Sequence, residues 1–98
     1  MTTGRYAPSP SGRMHLGNLM CCLLAWLSAK SKGGQVLLRI EDLDAQRCPR
    51  RYADAIMDDL AWLGLAADGP EPPVYQSERS AVYAQYFEEL ARRGLVYP

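Results

Sequence analysis

Two short segments hold most of the side chains able to do chemistry. The first is Arg5-Tyr6-Ala7-Pro8-Ser9-Pro10-Ser11-Gly12-Arg13-Met14-His15-Leu16-Gly17-Asn18, and the second is Arg39-Ile40-Glu41-Asp42-Leu43-Asp44. His15 follows a Gly/Pro/Ser loop and opens a helix pattern. Helix N-termini attract anions through unpaired N–H groups and the helix dipole. A phosphate there could bond to His15, to the Gly17 backbone and to Asn18, and Gly17 has no Cβ to block the approach. Equally, His15 and Asn18 could simply cap the helix. Arg5 lies on the preceding strand and points toward the same end, where its guanidinium would match a carboxylate bidentately. Its bland alternative is a surface arginine on an edge strand. Glu41 emerges from an apolar strand, and a carboxylate there needs a cationic partner. That partner is either a bound ammonium or an arginine of the chain, with Arg5, Arg39 and Arg47 as candidates.

These residues need a scaffold that brings the two segments together. Thr3 to Ala7 reads as a strand, and Pro8, Pro10 and Gly12 then forbid regular structure. A helix is predicted from His15 to Ser31. Leu16, Leu19, Met20, Leu23, Leu24 and Leu27 follow the helical apolar spacing, and Cys22, Ala25 and Trp26 add further apolar surface. This helix is therefore expected to be buried on more than one side. Gly33-Gly34 ends it. Gln35 to Ile40 is a strand whose Val36-Leu37-Leu38 run suits a parallel strand covered on both faces. Strand, helix and parallel strand form a right-handed crossover, which puts both chemical segments at neighbouring carboxyl ends.

A second helix starts with Pro49 in its first turn, presents Tyr52, Ile56, Leu60 and Leu63, and stops at Gly64. Val74 to Gln76 reads as a brief strand. Ser77 is expected to cap a third helix whose apolar face is Val82, Tyr83, Tyr86, Phe87 and Leu90. Tyr75, Tyr83 and Tyr86 read as core rather than as a stacking platform, and Asp42 and Asp44 as a solvated acidic turn rather than a metal site.

Composition narrows the function classes. The 98 residues suffice for one small domain. Eleven basic and eleven acidic residues cancel, so the basic excess of a dedicated nucleic-acid binder is missing. Cys21, Cys22 and Cys48 are odd in number and lack C-x-x-C spacing, which suits reduced thiols in a cytoplasmic protein. The apolar run Leu19 to Leu27 is too short for a membrane span, which needs roughly 20 residues. Neither G-x-G-x-x-G nor the P-loop motif occurs, so a dinucleotide fold and a P-loop are not indicated.

Taken together, the motifs resemble the glutamyl branch of the class I aminoacyl-tRNA synthetases over nearly the whole chain. His15-Leu16-Gly17-Asn18 resembles the family's HIGH signature, Arg39 to Asp44 its R-x-E-D-x-D segment, and Tyr75-Gln76-Ser77-Glu78-Arg79 a further motif. The resemblance implies an α/β fold, the first part of a Rossmann-like nucleotide-binding domain with parallel strands and crossover helices, incomplete in this chain. It implies a ligase that activates L-glutamate with ATP and Mg²⁺ and passes the glutamyl group to tRNA. On that reading His15 and Asn18 are catalytic. Pro8, Ser9, Pro10, Ser11, Gly12, His15, Gly17 and Asn18 meet ATP. Arg5, Tyr6, Ala7, Pro8 and Ser9 line the glutamate pocket, and Glu41 receives the substrate ammonium.

Asn18 stands where the general class I signature has a second histidine, a replacement familiar in the glutamyl branch. The lysine-rich K-M-S-K-S-like loop is absent, and the only lysines are Lys30 and Lys32. Residues 1–98 are therefore expected to be the amino-terminal portion of the catalytic domain. Any zinc segment or anticodon domain would belong to a full-length parent. The isolated segment is expected to show no pyrophosphate exchange and to self-associate through its half-built sheet. Ser11, Leu43 and the Leu95-Val96-Tyr97-Pro98 segment look more like the glutamyl-Q-tRNA(Asp) type than like a conventional glutamyl-tRNA synthetase.

Overall fold

Val36 and Ile40 are fully buried, and they define the inner face of the central strand. The computed structural model describes residues 1–98. In chain order it has β1 (Thr3–Tyr6), α1 (Leu16–Lys30), β2 (Gln35–Ile40), α2 (Arg50–Trp62), β3 (Val74–Tyr75), a 3₁₀ turn (Gln76–Glu78) and α3 (Ser80–Arg92). The sheet order is β1-β2-β3. Both pairings are parallel, with Arg5 opposite Leu37 and Ile40 opposite Tyr75. The predicted βαβ unit is therefore present, and α2 carries the chain on to a third parallel strand.

Side chains alternate along a strand, so Gly4, Tyr6, Val36, Leu38 and Ile40 share one face. Ile56 and Leu60 of α2 and Cys22 and Ala29 of α1 cover it, joining Tyr6 and Val36 in one core cluster. A smaller cluster of Ile40, Ala53 and Tyr75 continues toward the carboxyl end of the sheet. The other face is only partly covered. Leu37 and Arg39 are half-buried there, with Gly69 of the following loop against Leu37.

The buried face of α1 differs from the expected one. Leu16, Met20, Leu23, Leu24 and Leu27 are exposed, whereas Cys22 and Ala29 are buried. The reason lies on β1. A Cβ at Gly4 would stand 3.2 Å from the Ala29 Cβ and 3.4 Å from the Ala25 carbonyl. Helix and strand approach so closely that only the small-residue face fits between them, and the leucine stripe turns outward. On α2 the inner stripe is Ala53, Ile56 and Leu60. Tyr52 is half-buried and Leu63 exposed, and Pro49 stands just before the helix rather than in its first turn. Gly64, at φ 76°, follows Leu63 as the expected helix stop.

Two further expectations are corrected on α3. The cap position belongs to Arg79, because Ser77 is occupied elsewhere. No residue of α3 is buried, so Tyr83 and Tyr86 are not core, although Tyr75 is. The helix projects from the rest, and the radius of gyration is 15.7 Å against about 13 Å for a compact chain of this length. No helix is long and apolar enough to cross a membrane.

Lys30, near the C-terminal end of α1, bonds Asp68 at 2.7 Å. The same carboxylate accepts from the Val36 N–H at 2.8 Å, and the Asp68 N–H donates to the Val36 carbonyl at 2.7 Å. Asp68 thus completes the free edge of β2 before β3 begins. The Lys30 bond, reinforced by the Val36 N–H, holds the Asp68 carboxyl below the usual carboxylate value. Its contribution to stability is therefore present above about pH 4, the ordinary unfolded value, and disappears as pH falls through the lower folded value. An acid titration followed by circular dichroism should show Asp68→Asn less stable than wild type at neutral pH, with the two curves converging in acid. Parallel curves would contradict this.

Candidate active site

The loop after β1 and the start of α1 enclose a cavity of about 600 Å³. Its position follows from the topology, since the carboxyl ends of neighbouring parallel strands leave a crevice that ligands use. The parallel ladder runs one step beyond the strands, with the Glu41 N–H donating to the Pro8 carbonyl at 2.9 Å. Pro10 is fully buried, and Arg13 pairs with Asp59 of α2 at 2.6 Å. The loop is thereby tied down at both points.

His15 is the N-cap of α1, in extended backbone at φ −90° and ψ 172°. Its Nδ1 accepts from the Gly17 N–H at 3.2 Å, and its own N–H donates to Asn18 Oδ1 at 3.2 Å. An accepting Nδ1 carries no proton, which puts the ring N–H of neutral His15 on Nε2. Capping and ligand contact are therefore compatible: Nδ1 and Oδ1 are used for the cap, while Nε2 and the Asn18 amide nitrogen remain available as donors. Gly17 has a steric role as well. A Cβ there would stand 3.1 Å from the His15 Cε1 and 3.2 Å from Nδ1. Gly17→Ala is expected to swing the exposed ring away and break the Nδ1 contact, changing the imidazole ¹³C and ¹⁵N shifts while leaving the fold intact. An unchanged His15 spectrum would contradict the packing.

Arg5, Ala7, Pro8, Ser9, Ser11, Gly12, His15 and Asn18 all line this cavity. Arg5 is the one cation on its wall without an anionic partner, since Arg13 is engaged by Asp59. Tyr6 also reaches the cavity, but its hydroxyl donates to the Leu65 carbonyl at 3.1 Å, and burial pushes its pKa up to about 12. It is a neutral anchor between β1 and the end of α2. Pro10 and Gly17 do not line the cavity.

Glu41 is not on this wall. It faces an adjoining hollow of about 370 Å³ that shares Ser9 and Ser11 with the cavity and also includes Asp44, Arg47 and Gln76. Of its three candidate arginines, Arg39 is the partner, at 2.5 Å from Oε1. Asp42 departs from the solvated turn expected of it: it is buried and accepts two bonds from Ser77. Asp44 fits that expectation, being exposed and accepting from the Arg47 N–H.

Several lining residues escaped the sequence reading. Met14, Cys21, Cys22, Ala25 and Ile56 complete the apolar wall. The helical spacing Asn18, Cys21/Cys22, Ala25 carried the signal for three of them. All three cysteines are free; Cys21 is exposed, and burial pushes the Cys22 and Cys48 thiols up.

Known proteins resemble this chain in sequence and in fold. A glutamate–tRNA ligase 2 from Erythrobacter litoralis is 53% identical over 98 residues, covering 100% of this chain and 21% of that one. A glutamyl-Q tRNA(Asp) synthetase from Nitratidesulfovibrio vulgaris is 50% identical over 104 residues, covering 100% and 32%. A crystal structure of a glutamate tRNA ligase from Elizabethkingia meningosepticum, in complex with its amino acid, superposes with a TM-score of 0.83 at 41% identity, over 92% of this chain and 19% of that one. The chain thus spans a fifth to a third of the length of these relatives. The family described as tRNA synthetases class I (E and Q), catalytic domain, matches residues 1–98; the chain belongs to that family.

Proposed function

We propose that these residues form the glutamate side and the phosphate side of a site that activates L-glutamate with ATP. The observation that carries this reading is the unpaired Arg5 guanidinium in the same cavity as the His15 helix start. An uncommitted cation with no internal anion suits a substrate carboxylate. Backbone N–H groups at a helix start, with Nε2 of His15 and the amide of Asn18, suit phosphate oxygens. Arg5, Tyr6, Ala7, Pro8 and Ser9 would then hold glutamate, Glu41 its ammonium, and Ser11, Gly12, His15 and Asn18 the phosphates. Pro10, buried in the loop, and Gly17, packed against the His15 ring, would act on the phosphate side indirectly.

In the activation step a glutamate carboxylate oxygen attacks the α-phosphorus of ATP, a P–O bond forms, and pyrophosphate leaves with the bonding pair. The chain's part is positioning and charge stabilisation. Mg²⁺ would arrive on the triphosphate, which supplies oxygen ligands and whose charge the ion offsets.

Transfer of the glutamyl group to tRNA is proposed for the whole protein to which residues 1–98 contribute the first portion of the catalytic domain. Ser11, Leu43 and Leu95 to Pro98 favour the glutamyl-Q-tRNA(Asp) type. The identities of 53% and 50% to the two kinds of relative leave the conventional ligase as the second reading. The exposed leucine stripe of α1 and the uncovered α3 support pairing with a second copy, since an isolated helix shorter than about 12–15 residues is marginal in water. Sedimentation equilibrium should give a dimer or larger species; a monomer at all concentrations would contradict it.

The test of the site is calorimetric titration of a non-hydrolysable glutamyl-adenylate analogue into the chain. Saturable binding weakened by both His15→Ala and Glu41→Ala is expected. A folded chain that binds the analogue equally well with and without these side chains would refute the assignment.

A further inference from the structure

We propose that Asp42 is a positioning residue for Glu41, acting through Ser77; the proposal rests on the reading that Glu41 receives the substrate ammonium. Asp42 is buried, and both its carboxylate oxygens are engaged by the same residue. Oδ1 accepts from the Ser77 N–H at 3.0 Å and Oδ2 from the Ser77 hydroxyl at 2.7 Å. No arginine or lysine pairs with it. A carboxylate withdrawn from water at such a place carries a desolvation cost that its hydrogen bonds must offset, so the arrangement calls for an explanation beyond packing.

Its place in the sheet supplies one. The β2–β3 ladder ends at the Ile40–Tyr75 pair, because β3 is only two residues long. Glu41 is the next residue. Without a further rung, the β3 side of the strand end would be free to swing. The Asp42–Ser77 bonds act as that rung. They join the strand end to the 3₁₀ turn, which Arg50 holds from the other side by bonding Glu78 at 2.6 Å and lying 3.6 Å over the Tyr75 ring.

Glu41 is consequently held from three directions. The Pro8 carbonyl takes its N–H, Arg39 takes Oε1, and the Asp42–Ser77 pair fixes the residue after it. Oε2 accepts no hydrogen bond from the chain, and Glu41 lines the hollow together with Ser9, Ser11 and Gln76. A carboxylate that must meet an ammonium needs one free oxygen and a fixed direction, and a misplacement of about 1 Å can cost roughly 100-fold.

The experiment compares two ligands, a non-hydrolysable glutamyl-adenylate analogue and its des-amino counterpart. The ratio of their affinities reports the ammonium contact alone. Ser77→Ala and Asp42→Asn should each lower that ratio by about tenfold while leaving affinity for the des-amino ligand unchanged. A merely structural role would weaken both ligands alike and leave the ratio intact, which would overturn the proposal. Ser77→Ala keeps the backbone N–H bond and so decides the matter even if Asp42→Asn does not fold. Glu41→Gln separates the two claims. If it abolishes the preference while Ser77→Ala retains it, the positioning role is wrong and the ammonium reading stands. If Glu41→Gln retains the preference, or the wild type shows none, the ammonium reading fails and the positioning role with it.

Discussion

Arg5→Ala should weaken binding of a glutamyl-adenylate analogue more than any other single substitution on the cavity wall. Truncating one partner of a desolvated, hydrogen-bonded charge pair costs about 2–5 kcal/mol, which corresponds to roughly 30-fold to several thousand-fold in affinity. Arg13 already has Asp59, Arg39 already has Glu41, and Lys30 already has Asp68. Arg5 alone presents an uncommitted guanidinium to the cavity. Because it belongs to no internal pair, its loss should leave thermal stability nearly unchanged, so binding and folding can be read separately by calorimetry and thermal melting. Arg5→Lys should recover only part of the affinity, since an ammonium cannot reproduce the bidentate fork. Binding by Arg5→Ala at wild-type strength would show that the carboxylate is recognised elsewhere.

The largest effect on folding is expected for Leu60→Ala. Leu60 is 1% exposed and packs with Tyr6 and Val36, where α2 meets the sheet. Removing its side chain should destabilise by about 2–5 kcal/mol through lost burial and the cavity left behind. Small domains have only about 5–15 kcal/mol in total. This core has eleven buried apolar residues, four of them alanine or cysteine, so it has little reserve. Leu24→Ala on α1 is the matched comparison. Leu24 belongs to the leucine stripe but is 54% exposed, so its replacement should change stability by no more than about 0.5 kcal/mol. Urea unfolding of the two variants would check both. Equal losses would mean that the leucine stripe of α1 is packed after all.

That pair of variants also marks where sequence reading reached its limit. The span of β2 was legible because an apolar run follows Gly33-Gly34, and the ends of α1 because His15 and Ser31 bracket a helical repeat. Which face of α1 turns inward was not legible. It depends on Gly4, far away in sequence, allowing the strand to touch Ala25 and Ala29. Local periodicity favoured the larger side chains, and the close approach excluded them. Most of the cavity wall falls in one continuous stretch from the end of β1 through the loop to the first turn of α1, whereas Pro10 and Gly17 of that stretch lie off it. Glu41 was harder: three arginines were within plausible reach, and alternation along the strand, which puts Arg39 and Glu41 on one face two residues apart, decided for Arg39. The Asp42–Ser77 pair gave no local signal, because it joins residues 35 apart through a two-residue strand.

The proposed site holds glutamate across the cavity and the adjoining Glu41 hollow, and the ATP phosphates at the start of α1. Amide chemical-shift mapping tests it most directly, with L-glutamate and ATP added separately and then together. The account predicts that glutamate shifts Arg5 to Ser9 and Glu41, that ATP shifts Gly12 to Asn18, and that residues of the loop from Ala66 to Val74 stay still. Shifts confined to that loop, or none in a folded chain with both ligands present, would contradict it.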